Sequence, residues 1–240
     1  MLFTEENVRD NLRNREGKRV FYLGKSDQLT SAARDFLARE RIPILPAEQA
    51  RPERWQLLGS GYVEEKPEHM THLNGDYLVP KTHPRIAFRG AMDTLEAELV
   101  LCQLQCDTET AKAVGEILQF ARFLLRCEVL NEPVPTGKLC GLTGEEIRSH
   151  SHRPQDFYGQ PHFMPTAADG AIIARLNRCR CAARELELRA VAAFTDVNGI
   201  PTRPDLLQAL NRLSSMLYIL MIRAKQGLPL GCCIAQRSKI

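Results

Sequence analysis

The stretch Phe88-Arg89-Gly90-Ala91-Met92-Asp93-Thr94-Leu95-Glu96-Ala97-Glu98-Leu99-Val100-Leu101-Cys102 decides how this chain folds. Phe88, Met92, Leu95, Leu99, Cys102 and, beyond it, Cys106 recur at steps of three and four, which puts them on one face of a helix. The pattern predicts a helix from about Phe88 to Cys106. Asp107-Thr108 then reads as the cap of a second helix, Ala111 to Leu130, with Ile117, Phe120 and Leu124 along it, ended by Pro133 and Pro135. A short helix near 143–150 follows the capping-box pattern Thr143-Gly144-Glu145-Glu146, in a segment otherwise expected to be loop. A long helix is expected from about Ala168 to Phe194, broken by Gly199 and Pro201. Pro204-Asp205 opens a last one, to about Lys225. Paired antiparallel, these elements make a mainly α, up-down bundle of about five helices over residues 87–230.

Upstream the signal changes. Lys18 to Gly24 is a short apolar run ending in glycine, a strand signal. Thr30 caps a helix to about Arg39, with Ala33, Phe36 and Leu37 on one face. Arg41 to Pro46 is a second strand whose prolines confine it to an edge. Residues 1–65 therefore read as a small α/β appendage. Residues 59–86 are punctuated by Gly59, Gly61, Pro67, Gly75, Pro80 and Pro84 without periodicity, so 66–86 is expected to be an ordered connector.

The 240 residues carry 32 Lys+Arg and 29 Asp+Glu, a net charge of +3. Nucleic-acid readers concentrate positive charge, so that class is disfavoured. The longest apolar run, Met216 to Ile222, falls far short of the ~20 residues a membrane span needs. The N-terminus is acidic where a signal peptide would be basic and then apolar, which points to the cytoplasm. None of the eight cysteines lies in the first 101 residues, so no disulfide framework organises the chain.

Three groups of residues could carry chemistry. On the long helix, Arg180 and Arg184 are four apart and Glu187 continues their face. Two guanidiniums there could grip a polyphosphate, or they could be a solvated face with an ion pair to Glu187. On the last helix, Asn211, Ser214, Ser215 and Tyr218 form a polar stripe that could bond a ligand or bond back to the helix. Lys81, Arg85 and Arg89 precede or open the first bundle helix, whose N-terminus itself favours anions; a solvated basic loop is the other reading. Asp93, close to an apolar face, calls for a cationic partner, and Arg180 is a candidate. Neither a phosphate-cradling P-loop nor a dinucleotide fingerprint is present.

The order Arg89-Gly90-x-x-Asp93-x-Leu95, Cys179-Arg180-x-x-x-Arg184-x-x-Glu187 and Leu210-Asn211-Arg212-Leu213-Ser214 resembles the ATP:corrinoid adenosyltransferases of the five-helix-bundle class. Lys81 to Gly90 and the small N-terminal unit resemble the ethanolamine-utilisation (EutT-type) branch, and the likeness covers nearly the whole chain. It implies transfer of the 5′-deoxyadenosyl group of ATP, with Mg2+, to cobalamin in its Co(I) state, releasing triphosphate and supplying ethanolamine ammonia-lyase. The nucleophile belongs to the corrinoid, so no catalytic Ser, Cys or His is required. The resemblance implies an Asp93–Arg180 pair across a subunit boundary, Arg184 on the triphosphate, Glu187 and Asn211 at the nucleotide, and Lys81, Arg85 and Arg89 as a phosphate-binding segment. Phe163, in His162-Phe163-Met164-Pro165, resembles the aromatic that sits under the corrin and displaces its lower ligand; a loop aromatic anchored in the core is the alternative. A homo-oligomer, trimer or dimer, with reductase or microcompartment partners is also implied. The competing function is a non-catalytic corrinoid carrier, which has no use for a second arginine beside Arg180.

The branch departs here in one respect. Some members place a His and a Cys-Cys-x-x-Cys metal cluster before the bundle; this chain has only His69 and His72 there, so no metal is expected. Cys102 and Cys106 are expected to pack in the core, Cys179 and Cys181 to face different sides, and Cys232-Cys233 to form no zinc site.

Overall fold

A computed structural model describes residues 1–15, 18–49, 55–59, 61–63, 65–75 and 77–228. The chain divides into two compact units, Met1–Lys81 and Thr82–Ile240. The expected tail cysteines Cys232 and Cys233 lie outside the described residues.

The first unit opens with β1 (Leu2–Phe3), α1 (Glu5–Asp10), β2 (Arg13–Arg15), β3 (Lys18–Leu23), β4 (Gln28–Leu29), α2 (Ser31–Arg39) and β5 (Ile44–Pro46). The α2 cap is the expected one: Thr30 Oγ1 accepts from the Ala33 N–H. Strand β5 is an edge, as its prolines require, pairing parallel with β3. Val8, Phe21, Leu29, Ala33, Phe36, Leu37 and Ile42 form the small core. The Arg9 guanidinium covers the Phe36 ring at 4.1 Å.

The expected connector contains two strands, and the first unit runs past residue 65 to Lys81. Strands β6 (Trp55–Leu57), β7 (Tyr62–Val63), β8 (Met70–Asn74) and β9 (Tyr77–Pro80) form a sheet in the order β7-β6-β9-β8. The alternation that would have revealed them is broken. A bulge between His72 and Asn74 shifts the register of β8, so Met70 and Leu73 are both buried. On β9 the adjacent Leu78 and Val79 are both buried too.

The second unit is the bundle: α3 (Pro84–Gln103), α4 (Thr108–Val129), the hairpin β10 (Lys138–Leu139) and β11 (Leu142–Thr143), α5 (Gly144–His152), α6 (Pro154–Tyr158), α7 (Ala171–Ala193) and α8 (Pro204–Lys225). Helix α3 starts four residues before its apolar face becomes visible. His83 is its N-cap, with Nδ1 accepting from the Arg85 N–H at 3.2 Å, and Pro84 fills the first turn. Burial, then Arg85 and Arg89, hold the His83 pKa below its ordinary value, which keeps the capping nitrogen free to accept. Segment 131–165 holds more structure than expected. Cys140 (φ 50°) and Gly141 (φ 82°) make the tight turn of the β10–β11 hairpin.

Helices α3 and α7 run antiparallel: Arg178 pairs with Glu98 at 3.0 Å and Arg175 bonds Gln105 at 2.9 Å. Helix α8 packs on α7, α4, α5 and α6. Its residues Met216, Leu217, Ile219, Leu220, Met221 and Ile222 are fully buried, so it is enclosed on nearly every side. The core joins the faces of α3, α4, α7 and α8, with Phe88 edge-on to Phe194 at 5.3 Å.

Candidate functional site

An open cavity of about 460 Å³ lies on the bundle. Helix α7 contributes Arg180 and Arg184, α8 contributes Ser214, Ser215 and Tyr218, α5 contributes Ser151 and His152, and the segment after α6 contributes His162 to Pro165. Its volume lies in the range of small-molecule sites.

The expected arginine face is present. Arg180 is half-buried and donates through Nε and Nη2 to Asn177 Oδ1, at 3.1 and 3.0 Å. Its guanidinium lies 5.9 Å from the centre of the Tyr218 ring. Arg184 is exposed at the cavity wall, with no hydrogen bond or ion pair among the described residues. Glu187 does not pair with either arginine: it accepts from Asn211 Nδ2 at 2.8 Å. Asn211 Oδ1 in turn accepts from Arg212 Nη1 at 2.6 Å. Two of the expected nucleotide contacts are therefore each other's partners. Ser214 bonds back to the Asn211 carbonyl at 3.1 Å, the helix-internal alternative, while also bordering the cavity.

Phe163 borders the cavity and is approached by two groups from α8. Its ring stacks on Tyr218 at 6.2 Å, and Lys225 Nζ lies 4.4 Å from its centre. Lys225 is held by Asp169. Between α5 and α6, His150 Nδ1 lies 2.8 Å from the Tyr158 hydroxyl and its ring stacks on Phe157 at 3.9 Å. Burial pushes the Tyr158 pKa up to about 12, so this hydroxyl stays protonated.

The remaining expected residues lie elsewhere. Asp93 is exposed on α3, and the Arg180 guanidinium of the same chain is occupied by Asn177. Arg85 and Arg89 converge on Glu128, a wholly buried carboxylate at the end of α4. Arg85 Nε reaches Glu128 Oε1 at 2.6 Å and Arg89 Nε reaches Oε2 at 2.8 Å. Lys81 closes the first unit, its backbone N–H donating to the His69 carbonyl at 2.9 Å. Glu128 was not singled out in the sequence, yet a signal existed. It continues the buried row Ile117, Ala121, Leu124, and a carboxylate there calls for cations.

Cys102, Cys127, Cys140 and Cys179 are buried core thiols. Cys102 is buried with its Sγ 3.8 Å from that of the half-buried Cys106, Cys179 is buried, and Cys181 is exposed on the other side of α7. The Cys102 pKa is raised by its bond to Cys179 and by burial, and that of Cys106 is pushed up to about 12, chiefly by burial. Neither is a thiolate at neutral pH. In the first unit His72 lies edge-on to Trp55, its Nδ1 3.1 Å from the Gly75 carbonyl. Among the described residues no group of three or more His, Cys, Asp or Glu could hold a metal ion.

A model of the family described as cobalamin adenosyltransferase matches residues 61–224. The chain belongs to the cobalamin adenosyltransferase family. This adenosyltransferase is 30% identical, over 95% of its length and 93% of the relative's, to the corrinoid adenosyltransferase EutT of Salmonella typhimurium LT2. The same figures hold for EutT of Escherichia coli K12. The corrinoid adenosyltransferase PduO of Salmonella typhimurium LT2 is 32% identical, over 59% of this chain and 43% of the relative. The EutT likeness thus extends through both units of the adenosyltransferase. No solved structure matches it. None of its helices, among the described residues, is long and apolar enough to cross a membrane.

Proposed function

We propose that this adenosyltransferase joins C5′ of ATP to the cobalt of cob(I)alamin in the cavity between α7, α8 and the Phe163 segment. The cobalt lone pair forms the Co–C bond, and the C5′–O electron pair leaves with triphosphate. The supporting observation is Arg184, a cation at a cavity wall with no partner among the described residues, one turn from Arg180. Such a pair stabilises charge growing on a polyphosphate leaving group. Glu187 and Asn211, bonded to each other beyond the residues that line the cavity, are read as contacts of the nucleotide where it extends past Arg184 and Ser214. Phe163 supplies an aromatic face that excludes a lower ligand from cobalt, which eases reduction of Co(II).

Arg85 and Arg89 share one carboxylate, so the cluster retains a positive charge, and both guanidiniums stay partly exposed. With Lys81 they are read as the phosphate-binding segment. Asp93, solvent-facing on α3, is read as the partner of Arg180 from a second copy, which makes the working form a homo-oligomer, trimer or dimer. Mg2+ is read as arriving on the phosphate oxygens with most of its water, as is usual where it accompanies a nucleotide. The product is read as serving ethanolamine ammonia-lyase in the cytoplasm, in association with a microcompartment.

The test is anoxic incubation with ATP, Mg2+ and chemically reduced cobalamin, followed by the corrinoid spectrum. Conversion to adenosylcobalamin is expected. An unchanged spectrum despite corrinoid binding would make the chain a carrier.

A further inference from the structure

We propose that Tyr218 is a positioning residue: it holds the Phe163 segment in register with the arginine face of α7 and thereby sets corrinoid affinity. Hydrogen-bond direction carries the first part. His162 Nε2 lies 3.2 Å from the His152 carbonyl, which can only accept, so neutral His162 carries its proton there. Its Nδ1 is then an acceptor, 3.1 Å from the Tyr218 hydroxyl, and the hydroxyl donates to it. The same oxygen accepts from the Phe163 N–H at 3.3 Å. One side chain therefore fixes two consecutive residues of the segment, each through a different function of its hydroxyl.

The ring does as much. Tyr218 lies nearly parallel to His162 (9°) and to Phe163 (25°), while the Arg180 guanidinium sits 5.9 Å from its centre. Tyr218 and Lys225 are seven residues apart on α8, hence on one stripe, and both bear on the Phe163 ring. The ring proposed to face the corrin is thus referenced to the enclosed helix α8, and through Tyr218 to Arg180. Met164, the next residue, is 86% exposed and offers no comparable anchor. The holding role stands on this geometry; only the identity of the occupant rests on the adenosyltransferase reading.

Tyr218→Phe keeps the ring and removes the hydroxyl. Because water can reach the exposed His162 and half-buried Phe163, the thermal midpoint is expected to stay near wild type. Amide exchange at Phe163 should accelerate, and the Kd for cob(II)alamin in the presence of ATP should rise, each by about five- to tenfold. The Kd for ATP should stay within about twofold, well inside one decade of affinity. On a Phe163→Ala background the same substitution should add nothing to the corrinoid Kd, since Tyr218 acts through Phe163. Wild-type exchange at Phe163, an unchanged corrinoid Kd, or additive effects of the two substitutions would each overturn the proposal. Turnover is not among these readouts. A wild-type protein that binds cob(II)alamin without adenosylating it defeats the enzymatic reading and leaves the Tyr218 result to be judged separately.

Discussion

Arg85/Arg89 on α3 and Arg180/Arg184 on α7 are alike in sequence: two arginines four apart on a helix, beside a carboxylate. The structure makes them opposites. The first pair closes on Glu128, a buried carboxylate 43 and 39 residues away. The second borders a cavity, one arginine held by the neutral Asn177 and the other solvated. Spacing reports a shared face, but only a partner from a distant segment decides whether that face is closed or open. A neutral hydrogen-bond partner orients a guanidinium without cancelling its charge. Arg180 therefore remains electrostatically available, whereas Arg85 and Arg89 share one negative charge between them.

The contrast can be broken most sharply at Glu128. Glu128→Ala leaves two partly buried guanidiniums without their counter-charge and should cost about 3 kcal/mol in urea unfolding. A midpoint equal to wild type would show that the first pair does not hold α3 to α4. Arg184→Ala should do the reverse. Its stability should stay within about 0.5 kcal/mol of wild type, as for an exposed side chain without a partner. Its KM for ATP should rise and its kcat fall, with kcat/KM down about tenfold or more for a lost charge-assisted contact. Normal kinetics in this folded variant would remove the triphosphate role.

A smaller effect separates closed from open pairs by pH. Arg203 donates to both oxygens of Asp205 at 3.0 Å, and with the Val134 N–H this lowers the Asp205 pKa from 3.8 to about 2. The folded state therefore favours the carboxylate. Its contribution is nearly complete above pH ~4 and is lost as pH falls through about 2; after solvent screening it is on the order of 1 kcal/mol. Unfolding of Asp205→Asn and wild type should differ most at pH 5, narrow through pH 2 and converge near pH ~1. A difference as large at pH ~1 as at pH 5 would assign the effect to packing.

The helices were legible because their apolar rows are long and unbroken. The Thr30, Asp107 and Thr143 caps and the Pro204 start fall where the sequence puts them. Strands β3 and β5 were legible too, but the four-stranded sheet β7-β6-β9-β8 was not. Its strands are two to five residues long, and the bulge at His72/Asn74 destroys the period of two. At the site, Arg180, Arg184, Ser214, Ser215, Tyr218 and Phe163 come together around one cavity as separate sequence signals. His152, between Ser151 and Arg153, and His162, between Pro161 and Phe163, carry no periodic mark in the sequence. The Glu187–Asn211 bond is invisible in the sequence for another reason: the two residues lie on different helices, and only the packing of α7 on α8 makes them neighbours.

The enclosure of α8 also orders events during synthesis. The helices that surround it, α4, α5, α6 and α7, all precede it in the chain. A ribosome that has delivered them has produced walls without the post they lean on. Leu124, Ile147, Leu176 and Leu186, all wholly or almost wholly buried in the finished bundle, share one core with Leu206 to Met221 and cannot complete it until that helix emerges. For this protein the core closes with the last long helix translated, and the wall that carries Ser214, Ser215 and Tyr218 arrives in that same step.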